Sequence, residues 1–353
     1  MAPKAISLKY QLLGEVEEFL EKEEMPCQHT KAGVVELINQ ISAYKEEGKA
    51  LFPEVYIIDD INSIKNSLVN SELVGIGSAQ KSSSIILKAL KKCAPLAIGG
   101  WCIYILRKDD VFEYGLFRSG ASIVTIPISQ SLVDNGDEQS KLLLIRQVAD
   151  KIVELKGVRK NTLIINFGIK STSDLSPLDE QARFIEKILE DVDSAIKDQA
   201  RIFLYRLFLY VMQNGHGNLC CVIHHKSEYP DFLTDGIILT EKLSFTDKIL
   251  AIEKATSEDG GLNLLECNAR LNGVFNLIAG MMMSDGITVF NNNGSVSSYN
   301  IFLKHPEDDE NLKKVEGGAR SRTYEVMRQK LSASMLAAYI QSQDGKTQTQ
   351  IYA

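Results

Sequence analysis

Between residues 200 and 225 three stretches adjoin one another without spacer: "ARIFLYRLFLYVMQ", "NGHGN" and "LCCVIHH". In the first, Phe203, Leu204, Leu207, Phe208, Val211 and Met212 recur at helical spacing. The Asn-Gly cluster stops that helix sharply. The third stretch is short and largely apolar, the pattern of a strand covered on both faces. A helix that feeds straight into a buried strand restricts this part of the chain to a layered α/β arrangement.

The rest of the chain is compatible with that class. Its 353 residues, 44% of them hydrophobic, suffice for a large core and for two domains. A net charge of -7 gives no general footprint for nucleic acid, so any phosphate recognition should be local and directed at a small ligand. The cysteines Cys27, Cys93, Cys102, Cys220, Cys221 and Cys267 form no C-x-x-C pair and read as reduced core residues. No run of about 18 apolar residues is present, so a membrane span is not expected and a cytosolic location is.

Residues 8 to 24 and 31 to 48 read as helices, and "EVYIIDDI" reads as a strand. "GIGSAQKSS" imitates a phosphate-binding loop, but Gln80 stands where the glycine before the lysine belongs. "GGWCIYILRKDDVFEYGLFRSG" predicts a hairpin, "SIVTIPI" a further strand, residues 141 to 155 a helix, and "NTLIINFGI" another strand. "KSTSDLSPLDEQ" marks the boundary, with Asp179 as a helix cap and one long helical stretch from there to Gln213. Beyond "LCCVIHH" come the strand "GIILTEKL", the helix "NLIAGMMM", a hairpin around the turn "NNNG", a helix to about Leu331, and the strands "SMLAAYIQS" and "KTQTQIY".

Four motifs bear on chemistry. In "GGARSRTYEV", Gly317 and Gly318 allow close backbone approach, and Arg320 and Arg322 precede a helix opening near Thr323. Guanidinium forks and orphan helix amides together suit a polyphosphate, the alternative being a solvated loop and cap. Asp285, followed by Gly286, can hold a divalent cation, although Asp-Gly often marks only a turn. "LLECNARLNG", with Glu266, Asn268, Arg270 and Asn272, has the look of the metal- and phosphate-holding string of ATP-grasp ligases, or else of a polar turn before a helix. His224 and His225, adjacent on a predicted strand, should point to opposite faces and not share a metal.

Taken in order, "FLYRLFLYVMQNGHGNLCCVIHH", "MMMSDGITVFNNNGSVSSYNIFL", "EGGARSRTYEVMRQ" and "SMLAAYIQSQDGKTQTQIY" resemble the diadenylate cyclase domain, over roughly residues 197 to 353. Residues 30 to 170, with "AYKEEGKALFPEVYI" and "DVFEYGLFRSG", are similar to the sensor domain called DACNV that precedes some such modules. The resemblance implies an α/β protein of two domains, with a sensor-like domain at 1–172, a helical linker at 173–196, and a mixed sheet flanked by helices at 197–353. It implies condensation of two ATP to cyclic di-AMP and two pyrophosphates, with Mg²⁺ or Mn²⁺ on Asp285 and ATP phosphates on Arg320 and Arg322. Gly286, Ile287, Gly317, Gly318, Ala319, Ser321, Thr323, Ser342 and Gln343 would line the nucleotide site. Two subunits would face one another as a homodimer or a larger paired assembly, without membrane or nucleic acid as partner.

This chain departs from the family pattern at two places. D-G-A is Asp285-Gly286-Ile287 and T-R-H-R is Ala319-Arg320-Ser321-Arg322, while Ser342-Gln343 matches the S-Q form of the closing string and lacks the acidic residue of S-E members. A divergent cyclase, a changed base preference and a pocket that binds nucleotide without reacting all fit those changes.

Overall fold

Two larger sheets, one of seven strands and one of six, carry the fold, which is mixed α/β. The computed structural model describes residues 8–120, 122–168, 176–233, 235–257, 261–303, 318–342 and 346–352. The chain divides into unit 1, Met1–Ala121 with Ile126–Ile169, and unit 2, Ser122–Thr125 with Lys170–Ala353.

Unit 1 opens with helices α1 (Leu8–Lys22) and α2 (Gln28–Ile41) and a two-rung hairpin, β1 (Lys45–Glu46) with β2 (Lys49–Ala50). It continues with β3 (Val55–Ile58), α3 (Asn62–Ser67), β4 (Glu72–Gln80), α4 (Ser83–Cys93), β5 (Cys102–Arg107), β6 (Val111–Arg118), β7 (Leu142–Ala149), β8 (Ile152–Gly157) and β9 (Thr162–Asn166). The sheet order is β4-β6-β5-β3-β7-β8-β9, with only the β3–β5 pair parallel. Strand alternation splits its side chains between two cores. Val55, Ile57, Ile103 and Ile105 join α1, α2 and α4 on one face, while Tyr56, Ile58, Tyr104 and Leu106 join Ile64 and Leu132 on the other.

The structure corrects several sequence expectations. Residues 141 to 155 are the hairpin β7–β8, not a helix. All eight residues of β7 are buried, so its apolar run lacks the alternation that marks a strand, and Lys151 makes the turn at positive φ. "SIVTIPI" forms no strand. The Thr125 N–H and hydroxyl both donate to the Ser122 carbonyl, at 3.1 and 2.7 Å, closing a turn, and Pro127 has no N–H to give a ladder. The second helix stops at Ile41 instead of Gly48, because residues 45–50 turn back as a hairpin with Glu47 and Gly48 at positive φ. "GIGSAQ" lies wholly within β4, so the imitation phosphate loop is a strand.

Unit 2 contains α5 (Pro177–Ile188), α6 (Lys197–Asn214), β10 (Asn218–Ile223), β11 (Ile237–Ser244), α7 (Thr246–Ser257), α8 (Gly261–Met283), β12 (Ile287–Asn291), β13 (Ser295–Ile301), α9 (Ala319–Gln329), β14 (Met335–Gln341) and β15 (Thr347–Ile351). The single stretch expected from 179 to 213 is two helices, broken where Asp193 Oδ1 accepts from the Ala195 amide at 2.9 Å. Asp179 is not the cap residue. Ser176 caps α5 and Asp179 answers it three residues on, each side chain accepting from the other's amide, with Pro177 at the first helical position.

The sheet order is β11-β13-β12-β10-β14-β15, and β10 runs parallel to β12 but antiparallel to β14. Cys220 and Val222 face a core built from α5, α6, α7 and α8, in which Phe184, Phe208 and Tyr339 pack ring to ring. Leu219, Cys221 and Ile223 face a second core closed by Tyr324, Val326 and Met327 of α9. Burial pushes the Cys220 and Cys221 thiols well up, which keeps them protonated and inert. Among the described residues no helix is long and apolar enough to cross a membrane.

One ion pair of unit 1 is fully enclosed. Arg146 on β7 stands opposite Glu154 on β8, its Nε donating at 2.7 Å, and its Nη1 reaches Glu54 at 3.1 Å. Removing Glu154 takes its most enclosed partner from the buried Arg146 guanidinium while leaving Glu54. Glu154→Ala is expected to lower the stability of unit 1 by about 3 kcal/mol in urea unfolding, and Arg146→Met/Glu154→Leu by much less.

Candidate functional site

The pairing registers of β10 decide what meets at one end of the unit 2 sheet. Leu219 pairs with Ile287 in parallel, and Asn218 pairs with Gln341 antiparallel. The start of β10, the start of β12 and the end of β14 therefore lie side by side. That brings His216 and Gly217, Asp285 and Gly286, and Ser342 to the same edge of the sheet. Asn218 Nδ2 donates to Gln341 Oε1 at 2.7 Å beneath them, in a buried contact that locks the β10–β14 end.

Helix α9 begins at this edge. Gly318 is its N-cap, in extended conformation and without a side-chain cap, so the helix opens at Ala319 and not near Thr323. Arg320 lies within the first turn. Its Nη1 donates to the His216 carbonyl at 2.7 Å, and its Nη2 lies 3.5 Å from Asp285 Oδ1. Asp285 and Arg320 are thus brought together from positions far apart in the chain. At 83% side-chain exposure the carboxylate is open to solvent, so the pair itself adds little stability.

The other residues fall into distinct places. Arg322 is exposed, two positions and roughly 200° further round the helix, so it does not join Asp285 as Arg320 does. Ala319 is exposed, and Ser321 and Thr323 are half-buried in the same opening turns. Ser342 follows β14 and is tied to the residue before β15: its N–H donates to the Lys346 carbonyl at 2.8 Å and its hydroxyl accepts from the Lys346 amide at 3.1 Å. Ile287 corrects an expectation. As the first residue of β12 its side chain turns into the core with Leu219, Val289 and Ile301 and is fully buried, so its bulk is not presented beside Asp285. Gly317 and Gln343 lie outside the described residues.

Gly286 is irreplaceable for a local reason. It holds φ +84°, and an added Cβ would lie 2.8 to 2.9 Å from the backbone of Asn300 and Ile301. Only glycine lets the chain turn from Asp285 into β12 against that strand.

Two further motifs are relocated. Glu266, Asn268, Arg270 and Asn272 sit inside the uninterrupted helix α8, where Arg270 donates to Glu266 at 2.6 Å on an exposed face. The string is therefore not a polar turn before a helix. His224 and His225 lie beyond the end of β10, where strand alternation no longer applies, and their rings stack with centroids 5.3 Å apart. Sequence reasoning missed His216, whose backbone carbonyl anchors Arg320; the glycines on either side of it were the only signal.

Comparison of the chain with family models, with curated proteins and with solved structures finds no match in any of the three.

The backbone argument at Gly286 is directly testable. Gly286→Ala is expected to cost about 1–3 kcal/mol in denaturant unfolding, because the new side chain meets both positive φ and backbone atoms. A value near zero would show that this turn is free to rearrange.

Proposed function

We propose that unit 2 is a metal-dependent diadenylate cyclase module and that unit 1 regulates it as a sensor. The observation that carries this reading is the meeting of Asp285 and Arg320 at the sheet edge where β10 and β12 begin and β14 ends. The motifs keep the family's order along the chain, and three strand ends and one helix start bring Asp285 and Arg320 together.

In this reading Arg320 and the backbone amides at the start of α9 bind phosphate oxygens of ATP, and Asp285 holds the divalent ion. The donor set fits Mg²⁺ or Mn²⁺, since such ions are commonly held by one or two carboxylates with substrate phosphates and water completing the shell. When bound, the ion supplies charge neutralisation on the phosphoryl oxygens and makes the attacking hydroxyl more acidic. The 3′-hydroxyl of one ATP attacks the α-phosphate of the other, a new P–O bond forms as the hydroxyl proton passes to solvent, and the bond from the α-phosphorus to the oxygen bridging to the β-phosphate breaks to release pyrophosphate. A second, reciprocal attack closes the ring. Arg320, held by the His216 carbonyl, offsets charge on the departing pyrophosphate. Each site holds one ATP, so two copies of the chain face each other through the same surface in the reacting assembly.

One observation favours a second reading, a nucleotide sensor that does not react. The Arg320 guanidinium rests against the very carboxylate that would take the metal, and Ala319 and Ser321 replace the family's hydroxyl and imidazole.

Purified full-length chain incubated with ATP and Mg²⁺ or Mn²⁺, with products resolved by mass, separates the two. Cyclic di-AMP and pyrophosphate are expected from the wild type, and Asp285→Asn should reduce turnover by roughly a hundredfold or more with its unfolding curve unchanged. Nucleotide binding without pyrophosphate release would establish the sensor instead.

A further inference from the structure

At the opposite end of β10 the chain leaves the sheet in a fixed way. The His224 N–H donates to the Ser334 carbonyl at 2.9 Å, and the Asn292 N–H donates to the Ile223 carbonyl at 3.1 Å. His224 and His225 then present their rings together, stacked at an interplanar angle of 16°. Asp191, from the connection between α5 and α6, brings Oδ2 to 3.3 Å from His225 Nδ1 and 3.8 Å from His224 Nε2. One ligand atom from each of the three residues lies within 4.8 Å of the others. Neighbouring ligands of a tetrahedral ion with bonds of about 2.0–2.1 Å are separated by about 3.3 Å, the spacing Asp191 and His225 already hold.

Asn292 organises the cluster from beneath. It is 1% exposed, and its amide is committed at both ends. Nδ2 donates to Asp191 Oδ2 at 2.9 Å; Oδ1 accepts from the His225 backbone N–H at 2.9 Å and lies 2.9 Å from His225 Nδ1. The Asp191 N–H in turn donates to the Asn292 carbonyl at 2.9 Å. The buried amide thus holds in place the carboxylate oxygen and the ring nitrogen that face each other, so both donor atoms are positioned before an ion arrives.

We propose that Asp191, His224 and His225 bind a divalent transition metal of the zinc class, leaving one coordination position for water or an outside donor. Two imidazole nitrogens and one carboxylate oxygen suit zinc far better than magnesium or calcium, which take oxygen donors. Side-chain exposures of 40% for Asp191, 33% for His224 and 20% for His225 leave the ligand atoms reachable from solvent. With the ion bound, each neutral ring carries its proton on the nitrogen that does not ligate: His225 on Nε2, and His224 on Nδ1. The 3.2 Å bond from the Lys226 amide to His224 Nδ1 opens in the process, as does the contact between His225 Nδ1 and Asn292 Oδ1, which keeps the His225 backbone N–H as its donor. The ion ties the α5–α6 connection to the end of β10, and the site does not depend on the cyclase reading.

The test uses full-length protein stripped with a chelator and titrated with Co²⁺, whose visible bands report coordination. The expected result is one equivalent with the intense spectrum of a four-coordinate ion, displaced by Zn²⁺. His225→Ala and Asp191→Asn should each weaken Co²⁺ binding by roughly tenfold or more, while Asp285→Asn leaves it unchanged. Should His225→Ala fail to fold, His224→Gln, on the more exposed ring, takes its place. No four-coordinate spectrum from the wild type, or an affinity untouched by the His and Asp191 variants, would overturn the site, as would its loss in Asp285→Asn.

Discussion

Unit 2 depends on strand β10 being buried on both faces and hydrogen-bonded on both edges. All six residues are enclosed, and their registers with β12 and β14 leave no freedom to slide. A one-residue slip would exchange the two cores, putting Cys220 where Cys221 packs. The segments before Asn218 and after Ile223 are therefore positioned by the strand. Asp285 and Arg320 gather at its beginning, Asp191 and the two histidines at its end. The six residues between hold those clusters about 20 Å apart.

The strand itself is readable from its composition, because an unbroken apolar run after a helix stop has few other uses. So is the β5–β6 hairpin, where aromatic strands flank a polar turn. β7 is not, since "LLLIRQVA" is buried on both faces and even encloses Arg146, which erases the alternation that would identify it. Of the candidate site, Asp285 and Arg320 are each singled out by the sequence. Their meeting in space is not, being set by backbone pairing that no local string encodes. The misplacement of His224 and His225 has a plainer cause: the alternation rule ends with the last residue of the strand, and both histidines lie past it.

Polar side chains in unit 2 that hold other residues in place are easily overlooked in sequence. Asn292 belongs to the turn "NNNG", where asparagine is expected for its tolerance of turn geometry alone. Its amide instead reaches both Asp191 and His225. Asn218 and Gln341 likewise look like ordinary strand-end residues, yet their buried bond fixes the edge at which Asp285 and Arg320 meet.

The four residues Ser122–Thr125 belong to unit 2, although the chain returns to unit 1 from Ile126 to Ile169. Ile123 and Val124 pack against the larger core of unit 2, and the Thr125 carbonyl accepts from Arg206 at 2.8 Å. Synthesis runs from the N-terminus, so this piece leaves the ribosome before α6, which carries Arg206, has been made. It must wait, exposed, for partners that do not yet exist. The order of synthesis and the order of packing are therefore crossed in this chain, and a fragment beginning at Lys170 would have to fold around an unfilled place in its own core.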